Sequence, residues 1–231
     1  MINYSKYVEE LILKQEENKI IEAGTFYRES VMDVPAQTYY KIITRLVKHG
    51  KLVHLTKGVY YRPKQSRFGL VTISDNEISK HYVANNSGMV IGYQLYHQKG
   101  LTTQIAKKLE ILSTALNEEK KNIRNVIIRK LNMTLNSEVI SIIEMLEILQ
   151  NYDKIEEINY RRLLEYMKEF ANEYSEQAVE YVLAHRKYKK STLAFLERVL
   201  SNFHVKNNIR KFLSPVSKYA IPSMKEIYGG K

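Results

Sequence analysis

The sequence predicts an α+β protein with a small N-terminal domain at residues 1–66 and a larger domain at residues 67–231 that is mixed, mainly helical, and contains a small sheet. Apolar residues recur at helical spacing near both ends of the chain, and β-branched runs lie between them. A chain of 231 residues is long enough for two small domains. Its hydrophobic (44%) and charged (26%) fractions are typical of a folded globular protein, which excludes an intrinsically disordered chain.

The first domain is predicted to begin with two helices. One runs from Tyr4 to about Asn18, because its apolar side chains form a single stripe: Tyr7, Val8, Leu11 and Ile12. Gly24 ends the connection, and Phe26 is expected in a short buried strand or as an anchor. A short second helix is expected at about residues 27–32.

A third helix is predicted from Pro35 to His49, because proline suits a first helical turn and Gly50 suits the residue after the last turn. Its apolar face comprises Ala36, Tyr39, Tyr40, Ile43, Leu46 and Val47. Its opposite face is polar and basic, with Gln37, Thr38, Lys41, Thr44, Arg45 and Lys48.

Two β-rich runs follow the third helix and predict a hairpin. They lie at residues 52–55 and 59–61, are joined by Thr56-Lys57-Gly58 and are closed by Pro63. Helix, helix, basic-faced helix and hairpin is the order of a winged helix-turn-helix, in which the third helix enters the major groove and the hairpin contacts the adjacent backbone.

The charge distribution supports this interpretation. The formal net charge is +11, and residues 34–74 carry eight basic residues and no acidic one. We therefore expect the polar face of the third helix, with Lys57 and Arg62 of the hairpin, to bind duplex DNA. The alternative is a solvated face on a winged helix that binds protein.

The second domain is predicted to begin with helices at about residues 74–84 and 90–98. Strands are expected at residues 109–112 and 123–131, with residues 117–122 as their charged turn. Four amphipathic helices follow and are expected to form a bundle. They begin near Asn136, Tyr160, Ser175 and Ser191.

Residues 185–231 form a second basic segment, with 11 basic and two acidic residues. Two interpretations stay open. The segment from His204 onward is either an arm that binds DNA or wraps over a neighbouring surface, or a tail that Phe212, Val216 and Ile221 pin to the body of the protein.

The sequence predicts no catalytic residue, metal ion or cofactor. None of the six histidines lies three or four residues from another, and no phosphate-binding loop, dinucleotide motif or nucleophile elbow is present. The lack of cysteine excludes thiol catalysis, cysteine-ligated metals and disulfides. No apolar run is long enough to span a membrane and no signal-peptide pattern occurs, so we expect a cytoplasmic protein.

Four motifs in the first 105 residues carry a family resemblance. They are TRLVKHG at residues 44–50, KGVYYRP at 57–63, RFG at 67–69 and MVIGYQLYHQKGLTTQ at 89–104. In this succession they resemble the AbiEi-type antitoxins of type IV toxin–antitoxin (abortive infection) systems.

The resemblance implies a winged helix-turn-helix that binds repeats in the promoter of its own operon and represses it. It also implies a second domain that counters a nucleotidyltransferase-like toxin encoded next to it. The resemblance implies functional antagonism and leaves open whether the two proteins bind each other. It assigns no residues to the antitoxin surface. Its DNA-binding face would be Gln37, Thr38, Lys41, Thr44, Arg45, Lys48, Lys57 and Arg62.

Two other functions stay open at this point. One is a stand-alone winged-helix transcriptional regulator whose C-terminal domain senses a partner or ligand. The other is an RNA- or protein-binding module whose winged helix does not contact duplex DNA.

Overall fold

A computed structural model describes residues 3–230 and has an α+β fold. It divides into two compact units: the first extends to Tyr82 and includes residues 121–126, and the second comprises residues 83–120 and those from Ile127 onward. Residues 67–82 therefore belong to the first unit, whereas the sequence interpretation placed them in the second domain. One reason is the buried Tyr82, whose hydroxyl donates a hydrogen bond of 3.0 Å to the Glu22 carboxylate.

The first unit contains helices and short antiparallel strands, with β1 lying between the first two helices. In one three-stranded sheet the strand order is β1-β3-β2, with Tyr61 of β3 opposite both Ile20 of β1 and Val53 of β2. A separate hairpin, β4–β5, and a helix complete the unit. The elements are α1 (Tyr4–Leu13), β1 (Ile20–Glu22), α2 (Ala23–Ser30), α3 (Ala36–Lys48), β2 (Val53–Thr56), β3 (Val59–Tyr61), β4 (Lys64–Ser66), β5 (Gly69–Val71) and α4 (Asp75–Val83).

The start of the chain departs from the sequence prediction in three ways. Helix α1 ends at Leu13 instead of near Asn18, β1 was not predicted, and α2 begins at Ala23, so that Gly24 and Phe26 are helical. Strand β1 is only three residues long and is defined by its pairing with β3. Such pairing with a distant segment cannot be recognised from the spacing of apolar residues along the chain.

The core of the first unit lies between α1, α2, α3 and the strands that follow. Ile42 is buried although it was not assigned to the apolar face of α3, while Ala36 and Tyr40, which were assigned to it, are exposed. The buried apolar residues of this core are Val8, Ile12, Ile21, Ala23, Phe26, Val31, Val34, Tyr39, Ile42, Ile43, Leu46 and Leu52.

A four-stranded sheet with order β6-β7-β9-β8 follows. The predicted helix at residues 90–98 is wrong at its start, because Val90 and Ile91 pair with β7 and the helix begins only after Gly92, at φ +66°. The predicted charged turn at 117–122 is also wrong, since the chain turns at Arg124-Asn125. The elements are β6 (Gly88–Ile91), α5 (Tyr93–Gln98), β7 (Leu109–Ser113), β8 (Lys120–Ile123) and β9 (Val126–Lys130).

The four predicted C-terminal helices are confirmed, and they pack around the core of the second unit. Asn136 caps the first, accepting a hydrogen bond of 2.8 Å from the backbone N–H of Val139. The helices are α6 (Ser137–Gln150), α7 (Tyr160–Asn172), α8 (Glu176–His185), α9 (Lys190–Asn202) and a last helix, α10 (Met224–Gly229), that was not predicted; short 3-10 helices lie at Ala84–Asn86, Tyr152–Lys154 and Ile209–Phe212.

The C-terminal segment is attached to the second unit by apolar and basic contacts. Phe212 and Ile221 pack against the core as predicted, whereas Val216 is 91% exposed, so its predicted pinning role is wrong. The Arg198 guanidinium donates to the carbonyls of Ile221 (3.2 Å) and Pro222 (2.9 Å). Other basic side chains make ion pairs, including Arg210 with Glu197 and Lys211 with Glu180.

Within residues 3–230, no helix is long and apolar enough to cross a membrane.

Candidate nucleic-acid interface

The buried face of α3 fixes which of its side chains point outward. Tyr39, Ile43 and Leu46 recur at helical spacing and are buried in the core of the first unit. The Tyr39 hydroxyl also donates a hydrogen bond of 2.9 Å to the carbonyl of Ala23, and burial raises the pKa of this phenol. These contacts hold the helix in one rotation, so its opposite face is presented to solvent.

That opposite face is exposed and carries four of the predicted side chains. Gln37, Lys41, Thr44 and Lys48 lie on successive turns of α3, and all four are exposed. The hydroxyl of Thr44 donates to the carbonyl of Tyr40 at 2.9 Å, which leaves its oxygen available as an acceptor.

Tyr40 joins this face although the sequence interpretation placed it on the apolar side. Its side chain is 47% exposed, and its ring lies 5.1 Å from the ring of Tyr39 and 6.4 Å from that of Tyr27, measured between centroids. Adjacent tyrosines point to different sides of a helix, so one is buried and the other presents its hydroxyl.

Two other predicted residues lie at the flank of the helix. Thr38 is half-buried, and the Arg45 guanidinium donates a hydrogen bond to the Ser5 hydroxyl of α1. Arg45 remains exposed, and its guanidinium is engaged with α1.

The turn between β2 and β3 presents Lys57. Thr56 pairs with Val59, which leaves Lys57 and Gly58 as the two central residues. Gly58 has φ +73°, a conformation that glycine adopts without strain. The backbone N–H of Ala23 donates to the carbonyl of Gly58 at 2.9 Å, which fixes the turn against the start of α2.

Arg62 has an internal role in the first unit that the sequence interpretation did not foresee. One terminal nitrogen donates to the carbonyls of Leu13 and Gln15, each at 2.9 Å, and the other lies 3.3 Å from the Glu17 carboxylate. The guanidinium satisfies free carbonyls at the end of α1. We therefore remove Arg62 from the candidate interface.

The remaining cations of residues 34–74 are mostly free of counter-charge. Lys51 pairs with Glu9, but Lys41, Lys48 and Lys57 have no ion-pair partner in the part of the chain that the structure describes. Lysines without an internal partner keep their positive potential for an external anion.

The β4–β5 hairpin adds side chains that the prediction of the site omitted. Arg67 and Phe68 form its tip, with the guanidinium carbon of Arg67 4.7 Å from the centroid of the Phe68 ring. Phe68 is 86% exposed. The RFG motif at residues 67–69 was noticed as part of the resemblance, yet its arginine and aromatic ring were not assigned to the site.

A scan of the chain against protein-family models finds no match, and a search of curated proteins finds none either. The proposed function therefore depends on the chemistry and geometry of the described residues.

Residues 3–230 contain no group of three or more histidine, aspartate and glutamate side chains placed to hold a metal ion. The second unit has a polar cavity of about 300 Å³ next to Gly92. Two ion pairs line it: Glu147, which is buried, with Arg186 at 2.9 Å, and Glu110 with Arg129 at 3.7 Å. The sequence interpretation did not find this cavity, because its walls come from five separate segments of the chain.

Proposed function

We propose that the protein is a DNA-binding transcriptional repressor whose first unit is a winged helix-turn-helix. The observation that carries this proposal is the outward row of Gln37, Lys41, Thr44 and Lys48 on α3, whose two lysines form no ion pair within residues 3–230. The order of α1, β1, α2, α3, β2 and β3 and the antiparallel sheet β1-β3-β2 support it.

In this proposal α3 lies in the major groove, which accommodates one helix. Lys41 and Lys48 bind phosphates or guanine edges, and Gln37 and Thr44 form hydrogen bonds with other base edges. Tyr40 donates its hydroxyl to a phosphate at the edge of the groove. Lys57, at the tip of the β2–β3 hairpin, contacts the adjacent backbone.

A mobility shift with the protein's own upstream DNA tests the proposal. The wild-type protein should form a specific complex, and Lys41→Ala with Lys48→Ala should abolish it while the circular dichroism spectrum stays unchanged. With non-specific DNA, the same double variant should lower the slope of log affinity against log salt by about 2, one for each phosphate contact.

The matched control is Lys187→Ala with Lys189→Ala, which removes the same charge from exposed positions of the second unit. This control should bind like the wild type. Equal losses in both double variants would mean that net charge, and not the α3 face, governs binding.

We extend the proposal to an antitoxin that counters a nucleotidyltransferase-like toxin, because the four motifs that resemble AbiEi-type antitoxins span both units. Co-expression with a nucleotidyltransferase-like gene encoded next to it should restore growth of cells that the gene alone inhibits. Continued growth arrest in the presence of folded protein would contradict the antitoxin role and leave the repressor role standing.

A regulator whose second unit senses a small ligand is a second candidate, favoured by the polar cavity lined by Glu110, Arg129, Glu147 and Arg186. This candidate needs no adjacent toxin. It predicts that Glu147→Gln, which removes the buried charge facing Arg186, changes repression of the promoter without changing the contacts of α3.

A further inference from the structure

The β4–β5 hairpin stands apart from both larger sheets. Lys64 pairs with Val71, Gln65 with Leu70 and Ser66 with Gly69, and the two strands form a sheet of their own. Arg67 and Phe68 remain as the two residues of the tip.

The tip has a defined conformation. The hydroxyl of Ser66 donates to the carbonyl of Gly69 at 2.9 Å and accepts from the backbone N–H of Phe68 at 3.2 Å. Gly69 has φ +108°, which a residue with a side chain rarely adopts. These bonds hold the backbone of the tip in one conformation and place Phe68 at the end of the hairpin.

The base of the hairpin is tied to the rest of the first unit through Asn18. The side-chain carbonyl of Asn18 accepts from the backbone N–H of Lys64 at 3.3 Å, and its amide donates to the Glu77 carboxylate of α4 at 3.4 Å. A hairpin that is fixed at its base and exposed at its tip can exert a force on a partner that the tip contacts.

The chemistry of the tip selects one class of partner. Phe68 is 86% exposed and Leu70 51%, with Lys64 and Arg67 beside them and no acidic residue anywhere in residues 34–74. A partner that accepts an aromatic ring and also attracts guanidinium and ammonium groups must combine flat apolar surfaces with dense negative charge. Stacked bases between phosphates have this combination.

We infer that the β4–β5 hairpin is a second DNA-binding element that inserts Phe68 between two base pairs from the minor groove and bends the duplex. Arg67 lies in the groove beside the ring, and Lys64 contacts a flanking phosphate. This inference rests on the proposed DNA binding by α3. It adds a site that is chemically distinct from the lysine and glutamine row of that helix.

The experiment uses duplexes that the full-length wild-type protein selects from a random pool, labelled at both ends for energy transfer. Phe68→Ala should weaken binding about tenfold, within the range of roughly 5- to 150-fold that stacking of one base on an aromatic ring contributes. It should also abolish the end-to-end shortening that reports a bend. Phe68→Leu retains an apolar wedge and should retain most of the bend.

Val216→Ala is the matched control, because it also removes a highly exposed apolar side chain but lies in the second unit. Its affinity and bend should equal those of the wild type. Because the Phe68 side chain is highly exposed, the thermal midpoint of Phe68→Ala should also be unchanged, which separates a DNA effect from unfolding.

The outcomes separate the two proposals. If Lys41→Ala with Lys48→Ala abolishes binding while Phe68→Ala binds and bends DNA like the wild type, the wedge is wrong and the α3 interface stands. If Phe68→Ala instead changes the sedimentation mass of the free protein, the ring serves self-association and the inference is overturned. If the wild-type protein enriches no duplex, both proposals are overturned.

Discussion

Arg62 illustrates at the level of one residue how a basic side chain within the basic block at residues 34–74 can have a structural role. Its guanidinium joins the carbonyls of Leu13 and Gln15 to the carboxylate of Glu17. Lys64, two residues later, is exposed and has no ion-pair partner among residues 3–230. The positive charge of Arg62 is thus bound by groups of the first unit, whereas that of Lys64 is available to an external anion.

This difference gives the first prediction. Arg62→Ala should lower the free energy of unfolding by about 1 kcal/mol, because it removes two hydrogen bonds to backbone carbonyls and an ion pair, and water replaces them only in part. Lys64→Ala removes the same charge and should change stability by less than about 0.5 kcal/mol, as is usual at the surface. Urea titration followed by circular dichroism measures both, and equal stability of the two variants would contradict the anchoring role of Arg62.

At the level of elements, α4 is stabilised at its start by a reciprocal pair of hydrogen bonds. The backbone N–H of Ser74 donates to the Glu77 carboxylate at 2.7 Å, and the N–H of Glu77 donates to the Ser74 hydroxyl at 3.2 Å. The backbone hydrogen bond from Ser74, followed by that from its hydroxyl, lowers the pKa of Glu77 below its usual 4.5. The carboxylate form is therefore favoured in the folded protein.

The second prediction concerns the pH dependence of this cap. Because folding lowers the pKa of Glu77, its contribution is fully present above about pH 4.5 and is lost as the pH falls through the folded value. Glu77→Gln should therefore lower the thermal midpoint at neutral pH, and the difference from the wild type should shrink in acid. Thermal unfolding between neutral pH and pH 3 measures this difference.

Glu226→Gln provides the comparison, because Ser223 and Glu226 form the same reciprocal pair at the start of α10. Glu77 also holds Asn18 at the base of the β4–β5 hairpin, whereas Glu226 does not. Only Glu77→Gln should alter DNA binding. A difference from the wild type that persists at low pH would mean that the Glu77 charge is not the cause.

The elements that the sequence predicted correctly are those that carry their own local signal. Helix α3 has helical periodicity, a proline before it and a glycine after it, and the β2–β3 hairpin has a glycine in its turn. Strands β1 and β6 are short and depend on partners far along the chain, so their few apolar residues were assigned to connections or to a helix. The hydrogen-bond partners of Arg62 could not be predicted for the same reason. They lie at the end of α1, which comes close to Arg62 only in the folded chain.

At the level of the whole molecule, the two basic segments differ in how far their cations are bound by other groups of the protein. Several cations of residues 185–231 bind carboxylates or carbonyls of the second unit, as Arg186 does with Glu147 and Arg198 with Pro222. The lysines on α3 and in the β2–β3 turn have no such partners in the described chain. Two sequence blocks of similar net charge thus differ in the positive charge that each leaves available to an external anion.

Each unit also has its own apolar core, which allows the two proposed activities to be separated. One core consists of residues between Val8 and Leu52, and the other of residues between Met89 and Ile227. Fragment 1–82 should therefore fold and bind DNA alone. Fragment 83–231 should unfold cooperatively and protect cells against the toxin, although the turn at Arg124-Asn125 loses its bonds to Ile73 and Asp75.

Deleting residues 1–82 also exposes residues 121–126, which belong to the first unit, whereas Leu112 and the helices that follow keep their own core in the fragment. The thermal midpoint of fragment 83–231 should thus fall while its transition stays sharp. Scanning calorimetry measures both quantities, and growth of cells that co-express the toxin candidate measures protection. A fragment that folds without protecting would place part of the antitoxin activity in the first 82 residues, and separate domains would no longer explain the two functions.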